Sequence, residues 1–232
     1  MADTKDFSSL EKKVGITFDD RDVLTMAFVH RSYLNEHPSF GIEHNERLEF
    51  LGDAVLELVV TEYLYGNYPN PEGELTNWRA ALVNAKTLAD VGQELGLEDY
   101  LYLSRGEAKD SGSKARSYIL ANAMESFIGA IYLDQGIDAS RKFIDQFIIS
   151  KLPHILEHRL YIDPKSRFQE SSQEKVGVTP NYKVLNEEGP DHAKVFTVGV
   201  YLGSELVAEG EGMSKQEAQV AAAESALEAK EW

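Results

Sequence analysis

The sequence predicts an all-α N-terminal domain followed by a small α+β domain of order α-β-β-β-α. Three observations lead there. Apolar residues recur at helical spacing almost to residue 158, the texture changes after "LEHRLYIDPKS", and the alternating segments "NYKVLNEE", "KVFTVGVYL" and "ELVAEGEG" then precede an alanine-rich close. The expected boundaries are 1–158 for the first domain, 159–162 for a short linker and 163–232 for the second.

In chain order, capping-box patterns at "SSLE" (Ser8 to Glu11) and "TFDD" (Thr17 to Asp20) open two short helices. Longer helices are expected near 21–34, 45–66, 73–83, 85–95, 115–133 and 138–151, separated by breaks such as "GNYPNPEG" and "DSGSK". Beyond Pro164, a helix over about 165–176 leads into the three strands, and "SKQEAQVAAAESALEA" forms the last helix. There is no internal repeat and no low-complexity tract.

With 232 residues, 43% of them hydrophobic, the chain can bury a sizeable core. It has no cysteine, which excludes disulfides, thiolate zinc sites and thiol catalysis and fits a reducing compartment. The start "MADTKDFSSLEKK" lacks a basic-then-apolar leader, and no apolar run approaches the roughly 18 residues that span a bilayer. A soluble, cytoplasmic protein with no membrane partner is expected. The net charge is −16, and residues 163–232 hold 7 Lys and Arg against 13 Asp and Glu. Nucleic-acid binders usually carry a basic footprint, so charge alone favours a metal- or protein-binding protein.

The stretch "HNERLEFLGDAVLELVV" (His44 to Val60) is apolar yet carries Glu46, Glu49 and Asp53. On a helix at about 100° per residue, Glu49 falls at about 300° and Asp53 at about 340° from Glu46, so all three share one stripe. Apolar residues point in nearly every other direction, the pattern of a core helix whose carboxylates need neutralising. In "YILANAMESFIGAIYLDQG", Asn122 and Glu125 share a face of a second apolar helix. Two such helices packed face to face would make a hard-cation cage of oxygen ligands suited to Mg²⁺ or Mn²⁺. Such a cage serves in-line phosphoryl transfer, especially with two ions about 3.5–4 Å apart. Separately, "SRGEAKDSGSKARS" supplies Arg105, Lys109, Lys114 and Arg116, either a solvated charged loop or a phosphate contact.

"HNERLEFLGDAVL" resembles the signature of bacterial ribonuclease III, with further likeness in "FVHRSYLNE", "PEGELTNWRAALVN" and "ILANAMESFIGAIYLDQG" and on into the C-terminal part. The resemblance implies a Mg²⁺-dependent endonuclease for double-stranded RNA that acts as a homodimer and leaves 5′-phosphate and 3′-hydroxyl ends, serving ribosomal or messenger RNA processing. It places Glu49, Asp53 and Glu125 on the family's metal-ligating carboxylates and Glu46 and Glu72 on further acids of its catalytic valley. Phe50 matches the aromatic that inserts into the partner subunit. Asn122 stands where many members have Asp; its carbonyl can still ligate a hard cation, with one negative charge fewer. The alternative that this departure raises is a catalytically weak or silent binder of double-stranded RNA.

Residues 163–232 resemble a double-stranded-RNA-binding domain through "DPKSRFQE", "GPDHAKVFTVGVYL" and "GEGMSKQEAQVAAAESAL". Such domains read duplex shape across minor grooves and the phosphates between them. The resemblance implies that Gln169, Glu170, Pro190 and His192 meet 2′-hydroxyls, and that Ser214 and Lys215 meet phosphates. Where relatives often carry several lysines, this chain has Lys215 alone in "SKQEAQ".

Overall fold

The computed structural model describes residues 5–109, 113–190 and 194–232. They fall into two compact units, Met1–Tyr161 and Ile162–Trp232. In the first unit, α1 (Ser8–Val14), α2 (Arg21–Met26) and α3 (Arg31–Glu36) lead to the long α4 (Glu46–Asn67). Then come α5 (Glu72–Val83), α6 (Ala85–Leu95), the short α7 (Arg105–Lys109), α8 (Lys114–Phe147) and α9 (Leu152–Glu157). The core is continuous, and its principal contact is α4 against α8. Gly136 breaks α8 with φ of 77°, a left-handed conformation that glycine adopts without strain, which accounts for the two helices expected there. Among the described residues, no helix is long and apolar enough to cross a membrane.

Several local expectations are corrected. Ser8 does not cap α1: its backbone N–H and hydroxyl both donate to Asp6. Glu11, expected to complete that box, is 8% exposed, accepts the Phe18 N–H at 2.9 Å and pairs with Arg21 at 2.8 Å. The expected helix over 21–34 is split. Between α2 and α3 the fully buried Phe28 and Val29 bridge to Tyr102, whose N–H donates to the Phe28 carbonyl at 2.9 Å. Buried backbone must find partners, and here a distant segment supplies them in place of the next helical turn. Helix α7 was not foreseen.

Helix α4 also differs from the all-round core helix expected. Leu48, Gly52, Val55, Leu56, Val59, Val60 and Leu64 are buried, but Phe50 is 82% exposed, Leu58 51% and Tyr65 83%. Spaced by seven and eight residues, these three lie on one uncovered apolar stripe. Glu46 and Asp53 are exposed as well, so the acids rim the core rather than sit within it.

The second unit runs α10 (Pro164–Val176), β1 (Pro180–Glu188), β2 (Val195–Leu202), β3 (Glu205–Gly212) and α11 (Lys215–Lys230). The strands form one antiparallel sheet in the order β1-β2-β3. Its core holds Phe168, Val198, Val200 and the α11 residues Ala218, Ala222, Ala223 and Ala226. The alanines answer a geometric demand: a Cβ placed on Gly210 of β3 would lie 2.1 Å from the Ala222 nitrogen, so α11 rests directly on strand backbone.

Candidate functional site

Helices α4 and α8 touch backbone to backbone. A Cβ on Gly52 would lie 1.8 Å from the Glu125 carbonyl oxygen, and one on Gly129 would lie 2.4 Å from the Leu48 carbonyl oxygen. Only glycine allows this approach, at a helix-propensity cost of about 1 kcal/mol each relative to alanine. The crossing carries the neighbours of these glycines with it: Glu49 and Asp53 on α4, Asn122 and Glu125 on α8.

Buried Asn45 fixes the entry to α4. Its N–H donates to the Val29 carbonyl at 2.9 Å, its side-chain amide donates to the Ala27 carbonyl at 3.3 Å, and its own carbonyl accepts the Ser126 hydroxyl of α8 at 3.3 Å. Ser126 also donates to the Asn122 carbonyl at 2.8 Å. Sequence reasoning gave neither residue a role, because each works through backbone atoms of distant segments. The glycine pair is equally silent in sequence, since a mid-helix glycine does not announce its neighbour.

The acids feel one another. Burial, then Asp53 and Glu49, push the Glu125 carboxyl up to about 7. Glu49 is raised by burial and by Glu46 and Asp53, and is partly relieved by a hydrogen bond from Asn122. Asn122, where an acid would add a fourth charge, thus donates to one of the carboxylates. Glu46 lies 3.4 Å from Arg31 and 3.8 Å from His44 Nδ1. Among the described residues, no three acidic or histidine side chains are, as placed, gathered closely enough to hold a metal ion. The donor set itself, all oxygen from three carboxylates and an amide, suits a hard divalent cation.

Glu72 is not brought to this cluster. It opens α5, accepts the Thr76 hydroxyl at 3.0 Å, and helps Thr61, Tyr65, Tyr68, Leu75 and Arg79 line a recess of about 660 Å³ at the far end of α4. At 1.5 Å per residue, that end lies roughly 20 Å along the axis from Glu49 and Asp53.

In the second unit, Gln169 and Glu170 are exposed on α10, and Pro190 is exposed beyond β1. His192 lies outside the described residues. Ser214 caps α11, accepting the Glu217 N–H at 3.1 Å. Lys215 pairs with Glu187 of β1 at 2.9 Å and lies over the Phe196 ring. In the first unit, Lys109 ends α7 and Lys114 opens α8, both exposed.

A helical unit with an acid cluster at a helix crossing, joined to an α-β-β-β-α unit, defines a class of two-domain nucleases, and comparison with known proteins agrees. A family model for ribonuclease-III-like domains matches residues 20–152, and one for the double-stranded RNA binding motif matches residues 164–230. The chain is 46% identical over 220 residues to Ribonuclease 3 of Streptococcus thermophilus, spanning 94% of this chain and 95% of that protein. It is 46% identical over 228 residues to Ribonuclease 3 of Carboxydothermus hydrogenoformans, spanning 97% and 96%. A solved nuclease domain of ribonuclease III from Campylobacter jejuni, described with structural flexibility in a region involved in dimer formation, matches 64% of this chain and 99% of its own. It shares 38% identity with a TM-score of 0.58. The chain belongs to the ribonuclease III family.

Proposed function

We propose that this double-strand-specific endoribonuclease cuts RNA duplexes with Mg²⁺, or Mn²⁺ in its place, leaving 5′-phosphate and 3′-hydroxyl ends. The observation that carries the reading is the crowding of Glu49, Asp53 and Glu125 at the Gly52–Gly129 crossing. Like charges crowded into a half-buried site are costly unless a cation is held there, and carboxyls perturbed in this way are enriched at functional sites. Glu49 and Asp53 from α4 and Asn122 and Glu125 from α8 would hold it. A bound divalent ion supplies a water activated at neutral pH and a positive charge beside the leaving oxygen. The chain's own part is placement: Asn45 and Ser126 hold α4 to α8, Asn122 orients the Glu49 carboxylate, and Arg31 orients Glu46.

We read the working form as a homodimer. The stripe of Phe50, Leu58 and Tyr65 suits a second copy of α4 lying antiparallel about Leu58, which would set each Phe50 against the recess of the other copy. Glu72 of that copy would then approach the acid cluster, giving it the place in the catalytic valley that the single chain does not. Gln169, Glu170, Pro190, His192, Ser214 and Lys215 are read as the duplex-facing set of the second unit, with Lys109 and Lys114 as phosphate contacts of the first. Ribosomal and messenger precursors in the cytoplasm are the substrates this reading favours. Cleavage of a hairpin RNA by the parent chain and by Glu125→Ala, with and without Mg²⁺, tests it. Only the parent with metal is expected to cut while both bind, and equal cutting by the variant at saturating Mg²⁺ overturns the reading.

A further inference from the structure

The second unit is acidic, with 7 Lys and Arg against 13 Asp and Glu over residues 163–232, and its acids are not evenly placed. Glu187, near the end of β1, lies 2.9 Å from Lys215 Nζ and 3.9 Å from Lys194 Nζ. Lys194 precedes β2 and Lys215 opens α11, so one carboxylate spans the cations of two separate segments. Phe196, one residue into β2, lies under the Lys215 ammonium at 5.4 Å and helps fix that side chain in place. Within the same turn, the Glu217 carboxylate accepts the Met213 N–H at 3.1 Å, placing a second negative charge at the positive end of α11.

We propose that Glu187 is an internal stand-in for an RNA phosphate, and that it sets how tightly the second unit grips a duplex. This rests on the reading of Lys215 as a phosphate contact. For that contact to form, the ammonium must leave Glu187, and the freed carboxylate then stands beside a polyanion. Both partners of the pair are partly exposed, so its strength is that of a surface ion pair, enough to weaken binding by a few-fold rather than to abolish it. It also predicts a signature in salt. Each phosphate neutralised releases condensed cations, but the carboxylate uncovered by the exchange takes a cation back, so the dependence of affinity on salt is shallower than the lysine count implies. The duplexes favoured are those that offer several phosphates at once, since a single contact gains little over the internal pair.

The experiment uses the full chain without divalent metal, measuring fluorescence anisotropy on two unrelated RNA duplexes across a range of salt. The variants are Glu187→Gln, Lys215→Ala, the double variant, and Glu188→Gln, which removes the same charge one residue away. Glu187→Gln is expected to tighten binding about three-fold on both duplexes and to steepen the salt slope by up to about one contact. Glu188→Gln should do much less, and the gain from Glu187→Gln should shrink to about that of Glu188→Gln in the Lys215→Ala background, since Lys194 lies farther from Glu187 than Lys215 does. If Glu187→Gln gives the same gain with or without Lys215, or no more than Glu188→Gln, only net charge matters and the proposal is overturned. If Lys215→Ala weakens binding but Glu187→Gln changes nothing, Lys215 is a contact without an internal competitor, and the proposal alone falls. If Lys215→Ala leaves binding unchanged, the reading on which the proposal rests falls with it.

Discussion

Glu125 is where stability and activity oppose one another. Its carboxyl is pushed up to about 7 by burial and by Asp53 and Glu49, whereas in the unfolded chain it titrates near its ordinary 4.5. The folded metal-free protein therefore holds a proton that the unfolded chain has lost, and its stability falls as pH rises from about 4.5 through 7. Glu125→Gln removes that dependence. The variant should gain on the order of 1 kcal/mol over the parent above pH 7, a figure reduced for the solvent that reaches this half-buried group. The gain should shrink to nothing below about pH 4.5, as read by urea denaturation in chelator. Adding Mg²⁺ should raise the melting temperature of the parent and not of the variant. Asn122 allows the opposite experiment. Asn122→Asp replaces the hydrogen bond to Glu49 by a fourth like charge, so the metal-free protein should lose about 1 kcal/mol while less Mg²⁺ is needed to stabilise it. A variant as stable as the parent in chelator would show that Asn122 does not relieve Glu49.

At the level of elements, α4 and α8 act as one object because two glycines let their backbones meet. Gly52→Ala should gain about 1 kcal/mol of helix propensity yet lose far more, since its methyl group would occupy the place of the Glu125 carbonyl. Net destabilisation of at least ~3 kcal/mol in urea, with cleavage lost, is expected; a variant of parental stability would mean that the helices can part freely. The same crossing explains what sequence could and could not convey. Periodicity placed α5, α6, α10 and the three strands closely, because each has one buried face and a local signal at its ends, as when Asn84 caps α6 and Gly96 closes it. It fused α2 with α3, because the extended segment around Val29 depends on Tyr102, more than seventy residues away. It also made α4 a core helix, because apolarity alone cannot distinguish burial within a chain from an exposed stripe. The candidate acids were legible as a stripe on each helix, but their mutual distance was not, since that is set by Gly52 and Gly129.

For the whole molecule, the exposed stripe on α4 and the net charge of −16 pull against each other. Charge of one sign discourages association, whereas three large apolar side chains left in water favour it. The stripe is expected to prevail because its charges sit beside it in compensated pairs: Arg79 bonds Glu57 at 3.0 Å and Arg141 bonds Glu62 at 2.7 Å. A second copy laid antiparallel on α4 thus meets an apolar strip with neutralised borders. Light scattering at micromolar concentration should give about twice the 25.9 kDa chain mass. Phe50→Ala should weaken the dimer by on the order of 3 kcal/mol if the ring is fully enclosed, shifting the monomer–dimer midpoint upward by about a hundredfold. Because Phe50 contributes little to the core of its own chain, the monomeric variant should keep its circular dichroism and its cooperative unfolding. Its cleavage should fall with dilution in step with the loss of dimer, for Glu72 would then be left roughly 20 Å from the acids it is read to serve. A Phe50→Ala protein that is monomeric across the assay range and still cuts both strands at the parental rate would refute this assembly.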